Sequence, residues 1–297
     1  MKHPERNLVK TTSVISLAIV LTSTALIGSE YAQWRGSPAR DGLIREAAPV
    51  FADPSGLSMT EVWKIPMPGG ADGNYSSAVI VGDKIFTRVS RNPTPDNPKS
   101  RERVEELHCI KLAYGAVIWQ KELATVKSGT AQSTPCVADD MVFMVLSDGT
   151  VCAADQESGE LRWQQSIAAP RELRVQLKKM KKKLSYNSSP TLVDGKLIVG
   201  TYHLFALDAK TGEIAWRQEQ VFSDSGSPTV WRHGDKTYVF AGSPASLVDL
   251  ADGRIAWSID ETYGNTTPCV TGDLLAMAAA GDKAKKTRNA MLILRLS

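Results

Sequence analysis

A chain of 297 residues with a formal net charge of +3 can hold one large β domain, and its charge is mild overall but unevenly spread. Four cysteines without a Cys-x-x-Cys pair argue against a metal centre. No Gly-x-Ser-x-Gly, His-Glu-x-x-His, P-loop or dinucleotide fingerprint occurs, so the reactions those motifs carry find no support.

In chain order, residues 1–32 read as a targeting segment. Lys2, Arg6 and Lys10 form a basic start, and residues 14–27 form an apolar run too short for a membrane-spanning helix. Cleavage after Ala32 is the expectation. Retention as an N-terminal anchor is the alternative, because Glu30-Tyr31-Ala32 lacks a small residue at its first position. No cysteine follows the run, which argues against a lipoprotein. Export to the periplasm or cell surface follows, and it disfavours nucleic acid as a partner.

From there the chain repeats itself. Trp119, Trp163, Trp216 and Trp257 each lie four residues after a glycine (Gly115, Gly159, Gly212, Gly253), and Trp63 shares the ending without the glycine. The intervals are 56, 44, 53 and 41 residues, a period that means stacked supersecondary units. The clearest copy predicts strand a over 190–193, an Asp194-Gly195 hairpin turn, strand b over 196–200, strand c over 204–208, a Thr211-Gly212 turn and strand d carrying Trp216. Copies run over about 76–119, 133–163, 188–216, 227–257 and 266–297, the last without its own tryptophan. The fold class is therefore all-β: a β-propeller of four-stranded antiparallel blades, four complete and a fifth partial. A d-type strand at 61–65, with Trp63, is expected to complete the fifth as a composite blade and hide its open edges.

Each tryptophan is expected to cover the next blade with its flat ring and to satisfy its N–H on a backbone carbonyl. All five are thus structural docking residues. Cys136 and Cys269 share the strand-a slot of Thr191 and Thr229, while Cys109 and Cys152 match Ala206 on strand c, so all four read as small buried residues. The sequons at Asn74, Asn187 and Asn265 precede strand a, which favours a strand-entry role. His108, His203 and His233 lie in different blades, on a strand, a connection and a turn, and read as structural.

The string Ala206-Leu207-Asp208-Ala209-Lys210-Thr211-Gly212-Glu213-Ile214-Ala215-Trp216 resembles the tryptophan-docking repeat of the pyrroloquinoline-quinone-like (PQQ-like) propeller family. Gln33-Trp34-Arg35-Gly36 with Arg40-Asp41-Gly42 is similar to the start of secreted bacterial members, so the repeat domain is taken as 33–297. The resemblance implies rings of seven or eight blades, which makes a truncated larger ring the alternative to five. For catalytic members it implies a Ca²⁺ with oxygen ligands, a carboxylate base, an arginine near the quinone and often adjacent cysteines. Here there are no adjacent cysteines, and Asp139-Asp140 falls in an a–b turn on the other face. No catalytic residue, metal or cofactor is expected. Residual binding of the quinone or another flat ligand is one alternative, and a fragment of a longer repeat protein is another.

Strand alternation puts the b–c and d–a connections on one face, and that face carries the insertions. Loop 88–106 is Pro-rich and near neutral, 164–187 has net charge +6 and 278–289 has net charge +3. The middle insertion spaces Leu173, Leu177, Met180 and Leu184 as an amphipathic helix. Its Arg171, Arg174, Lys178, Lys179, Lys181, Lys182 and Lys183 form a patch for an anionic partner: a protein, an anionic polymer or a membrane surface. A solvated decorative helix is the plainer reading. The chain is expected to be a monomer unless the propeller is open.

Overall fold

The computed structural model describes residues 28–31, 33, 35, 60–67, 76–94, 96–97, 100–127, 132–180, 184–223, 225–259, 267–279 and 290–296. Trp34, Lys181–Lys183, residues 280–289, Asn74, Asn265 and residues 1–27 of the expected leader lie outside them.

Five antiparallel sheets follow one another along the chain. Blade 1 has strands Val79–Gly82, Lys84–Arg91, Glu102–Lys111 and Val117–Lys127. Blade 2 has Cys136–Ala138, Met141–Val145, Thr150–Asp155 and Leu161–Ser166. Blade 3 has Thr191–Val193, Lys196–Gly200, Leu204–Asp208 and Ile214–Gln218, the strands predicted. Blade 4 has Thr229–His233, Lys236–Ala241, Ala245–Asp249 and Ile255–Ile259, and blade 5 has Cys269–Thr271, Leu274–Ala279 and Ala290–Arg295. A short strand, Gly28–Tyr31, falls within the expected leader and pairs with strand a of blade 1, placing Tyr31 opposite Ile80. The Asp194-Gly195 turn has φ +47° and +72°, the left-handed pair a two-residue hairpin needs.

The core lies between blades, because each sheet is apolar on both faces. In blade 3, Leu204 and Ala206 join Val230, Val239 and Val248 of blade 4, while Phe205 and Leu207 join Phe143, Val145 and Val151 of blade 2. Near the inner ends, hydroxyls tie the blades in series. The Ser77 amide donates to Thr134 Oγ1 (3.1 Å), Thr134 to Ser189 Oγ (3.0 Å), Ser189 to Ser227 Oγ (3.0 Å) and Ser227 to Thr267 Oγ1 (3.0 Å). These residues hold one repeat position, so one hydroxyl per blade satisfies its neighbour's entry amide.

A second tie sits at the start of strand a. Thr191 Oγ1 donates to Pro228 O (2.8 Å) and Thr229 Oγ1 to Pro268 O (2.7 Å). Cys136 holds the corresponding place in blade 2 with a thiol, a weaker donor. The Cys136 thiol donates to Gln33 Oε1 (3.9 Å), and Cys136→Thr is expected to raise stability by about 0.5–1 kcal/mol by replacing the thiol with a stronger donor. Denaturant unfolding measures this, and a destabilised variant would show that the slot fits sulfur better.

Several sequence expectations need correction. The 88–106 segment is mostly strand: Arg88 lies opposite Leu107 and Arg91 opposite Val104, leaving a loop over 92–101. Cys109 is opposite Trp119 as Ala206 is opposite Trp216, but in blade 2 that place belongs to Ala153. Cys152 therefore faces the other way, into the core shared with blade 1. His233 ends strand a of blade 4, stacked on Trp231 with ring centroids 4.9 Å apart. Lastly, the fifth sheet holds three strands and residues 60–67 form no strand, so the composite blade is not formed among the described residues.

All four cysteines are free; Cys109, Cys136 and Cys152 are buried as expected, whereas Cys269 is only half-buried. Burial pushes the Cys109 thiol up to about 11 and the Cys152 thiol up to about 12, which leaves both protonated and inert at neutral pH.

Candidate functional site

The docking tryptophans behave as one device used four times. Trp63 Nε1 donates to Leu112 O (2.8 Å), Trp119 to Gln156 O (3.3 Å), Trp163 to Ala209 O (3.0 Å) and Trp216 to Leu250 O (2.9 Å). Three residues past each accepting carbonyl stands the turn glycine of the receiving blade, at φ +73° to +77°. A Cβ on Gly212 would come within 2.5 Å of the Trp163 ring, and one on Gly253 within 2.8 Å of Trp216. The glycine four residues before each tryptophan thus serves the previous blade's ring as well as its own turn. Trp257 differs: among the described residues no carbonyl accepts its N–H and no turn glycine lies under its ring.

The 164–187 insertion is fastened at both ends. Ile167 N donates to Gly149 O (2.8 Å), and Ala169 N donates to the Tyr186 hydroxyl (2.8 Å). The Tyr186 ring lies against Gly149, where a Cβ would come within 2.8 Å. Burial holds the Tyr186 phenol above its ordinary range, so it stays neutral. Between these ties runs the helix Arg171–Lys179. Glu172 in its first turn and Lys178 and Lys179 in its last complement the helix dipole. Leu177 is buried and Leu173 and Leu184 are half-buried against the core of blades 2 and 3, as the spacing predicts. Met180 departs from that stripe: it caps the helix and is exposed. Arg171, Arg174, Lys178 and Lys179 are exposed.

Sequence reasoning missed a buried charge cluster at the same end of blades 1 and 2. Arg88, on strand b, pairs with Glu105 on strand c, and both are fully buried. Arg88 also donates to Val145 O (2.9 Å) and Ser147 Oγ (2.9 Å) of blade 2. Glu105 accepts from Ser147 N (3.0 Å) and Ser147 Oγ (2.5 Å). The guanidinium is therefore committed to joining two blades. Behind it, Glu106 accepts from Arg91 Nε (2.5 Å) and meets His108 Nε2 (2.9 Å). Burial would raise the Glu106 carboxyl, but the His108 and Arg91 contacts together hold it below its ordinary range. In the sequence, 102–109 only intersperses charged and apolar residues without strict alternation, which signals neither cluster. Among the described residues, no three His, Cys, Asp or Glu side chains gather as a metal site.

Four-stranded blades joined by ring-on-glycine docking define a tryptophan-docked β-propeller. The chain belongs to the PQQ-like repeat family whose description is outer membrane protein assembly factor BamB, matched over residues 53–291. It is 25% identical over 158 residues to the outer membrane protein assembly factor BamB of Legionella pneumophila (strain Paris), covering 52% of this chain and 38% of that protein. It is 27% identical over 155 residues to a 1-butanol dehydrogenase (cytochrome c) of Thauera butanivorans, covering 51% of this chain and 18% of that protein. The quinohemoprotein alcohol dehydrogenase of Comamonas testosteroni shares the fold at 16% identity and a TM-score of 0.54, over 92% of this chain and 47% of that one. The chain thus spans less than two fifths of the length of the curated relatives it matches.

Proposed function

We propose that this chain is an exported, non-catalytic propeller scaffold that binds a protein or other anionic partner through the face carrying the 164–187 insertion. One observation carries the reading: the helix Arg171–Lys179 is fastened through Leu173 and Leu177 while four of its cations stand exposed. Loops and insertions on a rigid scaffold are where binding usually sits. Relatives named as assembly factors support a scaffold, and the basic, apolar start of the sequence supports export. Lys181, Lys182 and Lys183 would extend the same patch.

Binding to heparin, to acidic protein and to anionic liposomes tests the proposal. Binding that weakens with salt is expected. Changing Arg171, Arg174, Lys178 and Lys179 together to alanine should remove about 2 kcal/mol of screened attraction, on the order of tenfold or more in affinity. Salt-independent binding, or binding unchanged in the quadruple variant, would sink it. Similarity to a quinohemoprotein alcohol dehydrogenase of Pseudomonas putida favours a second reading, a propeller retaining a flat ligand in its channel. Adding the quinone with Ca²⁺ and finding no rise in melting temperature would remove it.

A further inference from the structure

Among the described sheets, only that of blade 1 has a fifth strand. Gly28–Tyr31 runs antiparallel to strand a, on the edge that strand b leaves free, with Gly28 opposite Gly82 and Tyr31 opposite Ile80. Gly82 leads into the a–b turn at Asp83, so the segment starts at the face of tight turns and climbs toward the insertion face. Two residues beyond Tyr31, Gln33 is buried and accepts from the Cys136 thiol (3.9 Å) at the start of strand a of blade 2. Residues 28–33 therefore bridge two blades. They also span the place where a leader would be cut, since the apolar run ends at Ile27 and cleavage falls shortly beyond such a run. Glu30 stands where that cut needs a small residue.

We infer that the leader stays on the protein: residues 28–33 belong to the propeller, and the chain before them holds it to a membrane with the tight-turn face toward the bilayer. Cutting after Ala32 would strip strand a of blade 1 of its partner and leave that edge's N–H and C=O groups unpaired. The sequence ahead of the strand suits an anchor. Counted with Thr11, Thr12 and Ser13, the apolar run gives 17 residues without a charge over 11–27, and a span needs about 17–25. Lys2, Arg6 and Lys10 precede it, which keeps the N terminus cytoplasmic and sends the propeller across. Orientation follows from chain direction. Ile27 runs straight into the strand, so no linker separates the anchor from the tight-turn face. The helix Arg171–Lys179 lies in a d–a connection on the opposite face, so its cations point away from the anchoring membrane.

Expression of the full chain in a bacterial host, with fractionation and intact-mass measurement, tests the inference. The protein should sit in the membrane fraction with residues 1–32 included in its mass. It should resist a wash in about 1 M salt, which screens any attraction between lysines and lipid, and dissolve in detergent. Glu30→Ala supplies the missing small residue and should be cut after Ala32 and released. For orientation, Cys269→Ala removes the half-buried thiol. A fluorophore then placed by Asp235→Cys, on an exposed tight turn, should be quenched by a nitroxide-bearing lipid, and one placed by Arg174→Cys on the insertion helix should not. A wild-type mass lacking the leader, or release by salt alone, would overturn the inference, and the reverse quenching pattern would overturn the orientation. The anchor rests on the proposed export but fails apart from it: a soluble exported chain beginning at Gln33 would remove the anchor and leave export and the basic patch standing.

Discussion

Trp216→Ala is expected to lower the unfolding free energy by about 3–5 kcal/mol, and Trp257→Ala by less than about 1 kcal/mol. The two residues share a sequence motif and a place on strand d, so propensity and local pattern predict equal costs. What differs is the neighbour. Trp216 is 9% exposed, lies on Gly253 and donates to Leu250 O, whereas Trp257 is 40% exposed and meets no described turn. Removing the first leaves a cavity and an orphaned carbonyl, while removing the second leaves solvent where solvent already was. The receiving glycines supply a matched contrast. Gly212 and Gly195 both have positive φ, but a Cβ on Gly195 meets nothing within 4 Å while one on Gly212 collides with Trp163. Gly195→Ala should therefore cost about 1 kcal/mol of backbone strain, and Gly212→Ala several times that, since the ring must leave its seat. Urea unfolding measures all four variants. Equal losses at Trp216 and Trp257 would show that the rings stabilise their own blades rather than the next.

That distinction bears on how a propeller arc holds together. Each blade satisfies its ring, its entry amide and half its apolar surface on one neighbour, so stability is built from nearest-neighbour contacts. A lesion at one interface frees two blades from each other without touching the sheets themselves. A fluorescence signal from Trp163 or Trp216 should report the opening of its own interface first.

Most of this architecture was legible because docking leaves a periodic mark. The glycine and the tryptophan four residues later are both visible in sequence, as is the Asp194-Gly195 turn. Their separate roles were not, since the glycine's partner is the tryptophan of the previous repeat. The hydroxyl ladder was hidden for a similar reason: Ser77, Thr134, Ser189, Ser227 and Thr267 look like ordinary strand-entry residues until the blades stand side by side. Cys152 was misplaced by one residue, and in a strand one residue reverses the face. Met180 fits the helix stripe by spacing alone, because the apolar spacing continues past the point where the helix stops. The long hairpin of blade 1 looks like a loop in the sequence because its middle is Pro-rich, and Arg88, Ser90 and Glu105 put polar groups where alternation asks for apolar ones.

That polar interruption gives the second large effect. Glu105→Gln is expected to destabilise the protein by about 3–5 kcal/mol, because it leaves the buried Arg88 guanidinium without its counter-charge. Glu105 also accepts from both the amide and the hydroxyl of Ser147, so the loss reaches across the joint between blades 1 and 2. Replacing both charges, Arg88→Met with Glu105→Leu, should recover much of the cost, since two apolar side chains need no compensation in the same volume. The double variant still leaves Val145 O and Ser147 without their Arg88 donors, so recovery should stop short of wild type. A double-mutant cycle in denaturant measures the coupling directly. Additive losses would mean that the two side chains are stabilised separately by blade 2 and that their mutual attraction contributes little. Coupling of 2 kcal/mol or more, on the order expected for a buried pair, would show that the pair within blade 1 is held by its own attraction while both partners reach across to Val145 and Ser147 of blade 2.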